Sequence, residues 1–291
     1  MSRIAYVNGR YLPHAKAVVD VEDRGYQFGD GFYEVVAVRG GRLVDEARHL
    51  VRLERSLGEL EIAMPMSRPA LSAVMRETMR RNLVDDGIVY LQVTRGVARR
   101  DHAFPAAARP AVVMTARRVA AQAPALTEDG VKVITVADIR WARCDIKSVA
   151  LLPNCLAKEQ ARRAGAFEAW QVDGQGLVTE GSSTNAWIVD RDGNVVTRQI
   201  DSSILSGITR MALIELAAGE GLTVLERAFT VAEAKAAREA FLTSTTSLVL
   251  PVVQIDDAIV ANGKPGSFYR KLRELYEGHM AAPGSRAATG P

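Results

Sequence analysis

Cysteine is nearly absent from this chain: Cys144 and Cys155 are the only two in 291 residues, and no metal-ligand spacing joins them. That count excludes a disulfide-dense secreted scaffold. Both lie in one short stretch, so a single bridge stays open, but so few thiols in a chain of this length predict a reducing, cytoplasmic setting. Long apolar runs are also missing. The longest, such as LVLPVV at 248–253, are broken by proline and far too short to span a bilayer. The opening residues, MSRIAYVNGRYLPH, hold no uninterrupted apolar stretch of the kind a secretory signal needs. Neither sign of charge dominates, since 37 basic and 34 acidic residues leave a net charge of +3. They are dispersed rather than gathered into a basic stripe, which argues against nucleic acid as a partner. What remains is an ordinary globular composition, 48% hydrophobic and 24% charged, in a chain long enough for one large domain or two of medium size.

The first forty-odd residues alternate apolar and polar side chains around two turn signals. Asn8-Gly9 falls between Ala5-Tyr6-Val7 and Tyr11-Leu12, and Gly40-Gly41 between YEVVAV and RLV. Both dipeptides supply the positive φ that tight hairpins need. Leu50, Leu53, Leu57 and Leu60 then recur with a helical period, and Leu71, Met75, Met79 and Leu83 predict a second helix. IVYLQVTRG (88–96) and PAVVMTARRV (110–119) read as strands. Periodicity is lost over 120–130, AAQAPALTEDG, which predicts a linker between an N-terminal domain of 1–119 and a C-terminal domain of 131–281. The second domain opens on the strand-like VKVITVADIRW, and a helix over 153–164 is stopped by Gly165. Strand-turn-strand patterns surround Asp173-Gly174 and Asp192-Gly193. GITRMALIELAAGEG predicts a helix starting near Ser206-Gly207, FTVAEAKAAREA one opened by the capping box Thr230-x-x-Glu233, and FYRKLRELYEG a closing helix. Residues 282–291 are expected to be a disordered tail. The expected fold class is α+β, two domains with mixed sheets, without βαβα alternation or internal repeats.

Lys147 stands in CDIKSVALL, at the end of a strand-like stretch and ahead of an apolar run. A lysine so placed either snorkels to water or is desolvated. Desolvation disfavours its charged form and frees the amine to join a carbonyl as a Schiff base. In TEGSSTN (179–185), Glu180 sits between a strand and a small-residue turn, from which a carboxylate can hold a protonated ring nitrogen. The neighbouring serines lack the G-x-S-x-G elbow of a hydrolase nucleophile. Two segments suit an anion. In SSILSGITR a helix start offers the N–H groups of Ile208 and Thr209 and the Thr209 hydroxyl, and in LTSTTSL the residues Ser244, Thr245 and Thr246 line up three hydroxyls. Arg52 adds a fixed positive charge. Each alone is also an ordinary cap, Thr-rich strand or exposed arginine. Together they are the parts needed to hold pyridoxal phosphate.

The segments EDRGYQFGDGFYEVV, HLVRL, YLQVTRG, DIRWARCDIKS, LAKEQA, TEGSSTN, SGITR and TSTTS, in that order, resemble the fold-type IV pyridoxal phosphate enzymes. This is the family of branched-chain and D-amino acid aminotransferases, and the match, from about Tyr6 to Leu275, is strongest to its D-amino acid branch. The resemblance implies pyridoxal 5'-phosphate joined to Lys147, with Glu180 keeping its pyridinium protonated. It also implies Arg52, Ile208, Thr209, Ser244 and Thr245 around the phosphate, Ser183 on the cofactor side, and Tyr33 and Ser182 lining the substrate side. In VTRGVARRDHAFP, Arg100 and His102 have the spacing with which that branch traps the substrate α-carboxylate. Arg99 stands where a proline often precedes this arginine, and competes with Arg100 for the role. The implied activity is ping-pong transamination of D-amino acids such as D-alanine with 2-oxoglutarate or pyruvate, in a cytoplasmic homodimer without nucleic-acid or membrane partners. Branched-chain L-amino acid and (R)-amine transaminases share the scaffold, and the Arg100/His102 pair argues against both. Aminodeoxychorismate lyase, a further alternative, would use the same lysine to eliminate pyruvate.

Overall fold

The early alternation builds an antiparallel hairpin. In the computed structural model, which describes residues 3–282, β1 (Ile4–Val7) and β2 (Arg10–Pro13) pair across Asn8 and Gly9, both left-handed at φ 46° and 90°. The first unit continues through α1 (Arg24–Phe28), β3 (Gly31–Arg39), β4 (Arg42–Leu43), α2 (Glu46–Glu59), α3 (Arg68–Asn82), β5 (Gly87–Thr94) and β6 (Ala111–Arg118). Its sheet runs β2-β1-β6-β5-β3-β4, antiparallel at every step. Leu50, Leu53 and Leu57 of α2 and Leu71, Met75 and Met79 of α3 are buried in one cluster with Phe32, Val36, Val89, Leu91 and Met114 of the sheet. Each such side chain contributes about 1.5–3 kcal/mol on full burial, so packing rather than propensity holds both helices. Leu83, expected on the buried stripe, instead ends α3 in the left-handed region at φ 52° and is 56% exposed. That turn swings the chain so that Val84 takes the buried place.

The second unit comprises α4 (Pro124–Glu128), β7 (Val131–Ala137), α5 (Leu152–Arg163), β8 (Glu168–Val172), β9 (Val178–Gly181), β10 (Asn185–Val189), β11 (Val195–Thr197), α6 (Ile208–Gly219), β12 (Val224–Glu226), α7 (Val231–Lys235), β13 (Glu239–Ser244), β14 (Leu248–Ile255), β15 (Ala258–Ile259) and α8 (Ser267–Ala281). Its sheet runs β12-β11-β10-β13-β14-β7-β8-β9, with β15 on β14. The pairs β11/β12, β14/β7 and β7/β8 are parallel and the others antiparallel. The α+β class therefore stands, and the mixed pairing is confined to this second sheet.

In several places the chain departs from its sequence pattern. The expected linker over 120–130 carries α4, and Gln122 Nε2 donates to the carbonyls of Thr246 at 3.2 Å and Ser247 at 2.8 Å. Residues 121–145 belong to the second compact unit, whereas 146–150 group with the first. The reason is a strip of strand-like pairing. Tyr33 N–H donates to the Lys147 carbonyl and Val149 N–H to the Gly31 carbonyl, both at 3.1 Å. FTVAEAKAAREA forms only the five-residue α7 before turning into β13, with Thr230 Oγ accepting from Glu233 N–H at 3.0 Å. The tail expected over 282–291 lies outside the described residues beyond Ala282. Cys144 and Cys155 are both free thiols, and burial pushes the Cys144 thiol up to about 12, with the Arg140 charge offsetting part of the rise. No helix among the described residues is long and apolar enough to cross a membrane.

Candidate active site

β3 presents its alternate residues to two environments, and both carry chemistry. Tyr33 is half-buried, and the Lys147 ammonium lies 4.2 Å from its ring centroid. The Tyr33 ring stacks on Tyr90, centroids 5.7 Å apart, and burial pushes the Tyr90 phenol up to about 12. Lys147 is itself half-buried and its main chain is tied to β3, so its side chain starts from a fixed point.

Glu34, on the other face of the strand, is almost fully buried and accepts from Arg52 Nε at 2.7 Å and Nη2 at 2.8 Å, while His49 Nδ1 lies 2.6 Å from its second oxygen. Burial alone would raise this carboxyl, but the Arg52 charge, then His49, hold it down at about 2 against an ordinary 4.5. A carboxylate with a lowered folded pKa stabilises the fold above its unfolded pKa and loses that contribution as pH falls toward the folded value. The shift corresponds to something on the order of 3 kcal/mol. In denaturant titrations the stability advantage of wild type over Glu34→Gln should thus be full at neutral pH and shrink steadily below about pH 4.5. An advantage unchanged at pH 3 would remove Glu34 from the account.

Residues 95–110 join β5 to β6. Within them Arg100 and His102 are exposed and share one platform: the Arg100 guanidinium lies 4.7 Å from the Phe28 ring centroid and the His102 ring 5.7 Å from it. Arg99 is exposed as well.

In the second unit, Glu180 is buried on β9. One of its oxygens accepts from Arg140 Nη1, and the other from Asn185 Nδ2 at 3.0 Å and Leu205 N–H at 3.1 Å. Arg140 is anchored in turn by Asp138, at 2.9 Å from Nε and 2.7 Å from Nη2. Burial would raise the Asp138 carboxyl, and Arg140 and Thr179 hold it below its usual range. Asn185 also donates to the Leu205 carbonyl at 3.0 Å, and a Cβ built on Gly207 would meet its Oδ1 at 2.0 Å. Gly207 opens α6, and no side chain caps that helix start.

Several expected ligand groups are engaged within the protein. The Thr209 hydroxyl lies 3.2 Å from the Tyr276 hydroxyl, and Ser244 Oγ accepts from Ser247 N–H at 3.0 Å across the TSTTS turn, on which Thr245 is half-buried. Ser182 and Ser183 both donate to the fully buried Glu168, Ser183 Oγ at 2.8 Å. These serines hold the turn next to Glu180.

The donors suit the group that the resemblance implies. A buried carboxylate held by a guanidinium and two N–H donors can accept from a ring N–H, and a helix start without a side-chain cap accepts an oxyanion. Glu34, Arg140, Asn185 and Glu168 were not anticipated. A carboxylate within an apolar strand, as in FYEVV or FEAWQV, was the available signal, because such a group must find a partner to be buried.

A family model for class IV amino-transferases matches residues 31–255. The D-alanine aminotransferase of Bacillus licheniformis is 41% identical over 91% of this chain and 93% of its own length. That of Staphylococcus aureus (strain MSSA476) is 40% identical over 94% of this chain and 97% of its own. Among solved structures, the branched-chain amino acid aminotransferase of Escherichia coli covers 96% of this chain and 94% of that one with a TM-score of 0.89, and at 23% identity the likeness is one of fold.

Proposed function

The chain belongs to the class IV aminotransferases, and from that premise we propose that it transfers amino groups from D-amino acids such as D-alanine to a 2-oxo acid, 2-oxoglutarate or pyruvate, using pyridoxal 5'-phosphate. The observation that carries the reading is Lys147, a half-buried amine set over Tyr33 and tied by its main chain to β3, in a chain about 40% identical to D-alanine aminotransferases.

When bound, the cofactor supplies a carbonyl for the amino group and a cationic ring that spreads the electron pair left on Cα. Lys147 is the amine that holds it. Released from that bond, Nζ takes the Cα proton of the D-amino acid, and in the reverse half-reaction returns one to Cα of the acceptor. The two half-reactions follow one another, so the kinetics are ping-pong. Glu180, held by Arg140, Asn185 and the Leu205 N–H, would accept the ring N–H. Arg52, the N–H groups of Ile208 and Thr209, and Ser244 and Thr245 hold the phosphate. The Ser182 and Ser183 hydroxyls act through Glu168, shaping the turn that carries Glu180. Tyr33 lines the substrate side. Arg100 forks the α-carboxylate and His102 adds a donor. The working form proposed is a cytoplasmic homodimer.

The test is a panel of D- and L-amino acids with 2-oxoglutarate or pyruvate, following amino transfer. D-alanine should be used well and its L-enantiomer poorly; preference for L-leucine or L-valine would overturn the reading. Arg100→Ala should raise the KM for D-alanine about 10- to 100-fold, as expected for losing charge-assisted hydrogen bonds, while Arg99→Ala changes it little. The reverse result would move the carboxylate site to Arg99.

A further inference from the structure

The loop that bears Arg100 and His102 is exposed, yet a single buried guanidinium holds its main chain. Arg24, only 3% exposed, directs Nη1 to the carbonyls of Asp101 at 2.6 Å and Ala103 at 3.3 Å, and Nη2 to that of His102 at 3.5 Å. Its remaining edge is occupied by Asp30, 2.7 Å from Nε. The same guanidinium lies 4.8 Å from the Phe28 ring centroid, the platform that also receives Arg100 and His102. Asp30 further accepts from Arg95 Nε at 2.7 Å, and Arg95 lies 3.5 Å from the Phe104 ring centroid while donating to the Leu60 and Glu61 carbonyls. The start of the loop is fastened by Arg24 N–H to the Gly96 carbonyl at 3.0 Å and by Ala98 N–H to that of Glu22 at 3.3 Å.

We propose that Arg24 is a positioning residue for substrate binding: it fixes the main chain at 101–103, and with Phe28 sets where Arg100 and His102 meet the substrate carboxylate. The inference rests on the carboxylate role proposed above for that pair. Only a planar fork with several donors can reach three successive carbonyls and a carboxylate at once. A lysine ammonium on the same stem is a point charge that satisfies part of the set. Asp30 keeps the cation paired in its buried place, and because Arg95 also pairs Asp30, removing the Arg24 charge does not strand the carboxylate.

Arg24→Met, Arg24→Lys and Arg100→Ala holoenzymes, assayed with D-alanine and 2-oxoglutarate and digested briefly with trypsin, test this. Arg24→Met should raise the KM for both substrates about tenfold, with a much smaller change in kcat, because a displaced binding group weakens every ligand bearing the same carboxylate. Cleavage after Arg99 and Arg100 should accelerate, and Arg24→Lys should fall between Met and wild type in both readouts. If Arg100→Ala raises KM and Arg24→Met does not, or if Arg24→Met lowers kcat with KM and cleavage unchanged, the positioning role is wrong and the carboxylate assignment stands. If Arg100→Ala itself leaves KM unchanged, the carboxylate assignment fails and takes this inference with it. Should the methionine variant not fold, wild-type KM and cleavage in Arg24→Lys would overturn the role equally.

Discussion

Lys147→Ala is expected to lower turnover with D-alanine by about a thousandfold or more, the scale on which a positioned general acid-base acts, with the covalent role lost in addition. The fold should survive the change. Lys147 is held to β3 through its carbonyl, which accepts from Tyr33 N–H at 3.1 Å, and through the neighbouring Val149 N–H, neither of which depends on the side chain. The alanine variant should therefore melt within a few degrees of wild type while single-turnover transamination collapses. A small alkylamine added to the assay should restore part of the rate, since it supplies the missing base. Transamination within about tenfold of wild type would transfer the proton to another group and remove the central residue of the mechanism.

The second large effect is expected at Glu180. Glu180→Gln should reduce kcat about a hundredfold, in line with losing a preorganised charge aimed at a reacting system. Stability is expected to change less than activity. Asp138 still engages Arg140 through Nε and Nη2, so the buried guanidinium keeps a carboxylate when Glu180 becomes neutral. Glu180→Asp, which retains the charge on a shorter stem, should recover part of the rate. If the glutamine variant turns over at the wild-type rate, the ring nitrogen finds its partner elsewhere.

The candidate residues that bear charge or donors could be named from the sequence only through eight ordered segments that resemble the family, since each alone also suits an ordinary cap, strand or surface position. Lys147 stands ahead of an apolar run, Glu180 precedes a cluster of small residues, and Ile208 and Thr209 begin a helix. What supports them was not legible, because support comes from residues distant in the chain. Arg140 and Glu180 are forty positions apart, and Arg24 reaches a loop more than seventy residues on. Periodicity reports which face an element buries, not which carboxylate a buried arginine meets. The same limit explains the element ends. The repeat through Leu83 continues the helical period, but a left-handed residue there hands the core position to Val84. Gln122 sits in a segment with no pattern at all, yet it holds the main chain of the hydroxyl-rich turn at Thr246 and Ser247.

Gly207 closes off an evolutionary route that most helices leave open. The side chains favoured at such a position, Ser, Thr, Asp and Asn, stabilise a helix by about 0.5–2 kcal/mol by bonding its first N–H groups. None fits here, since any Cβ would collide with Asn185 Oδ1, and Asn185 is pinned by Glu180 on one side and Leu205 on the other. A substitution that would be a routine gain in thermostability elsewhere is thus barred by the residue that steadies Glu180. A side chain at position 207 therefore requires the Asn185 amide to move, and with it a donor to Glu180.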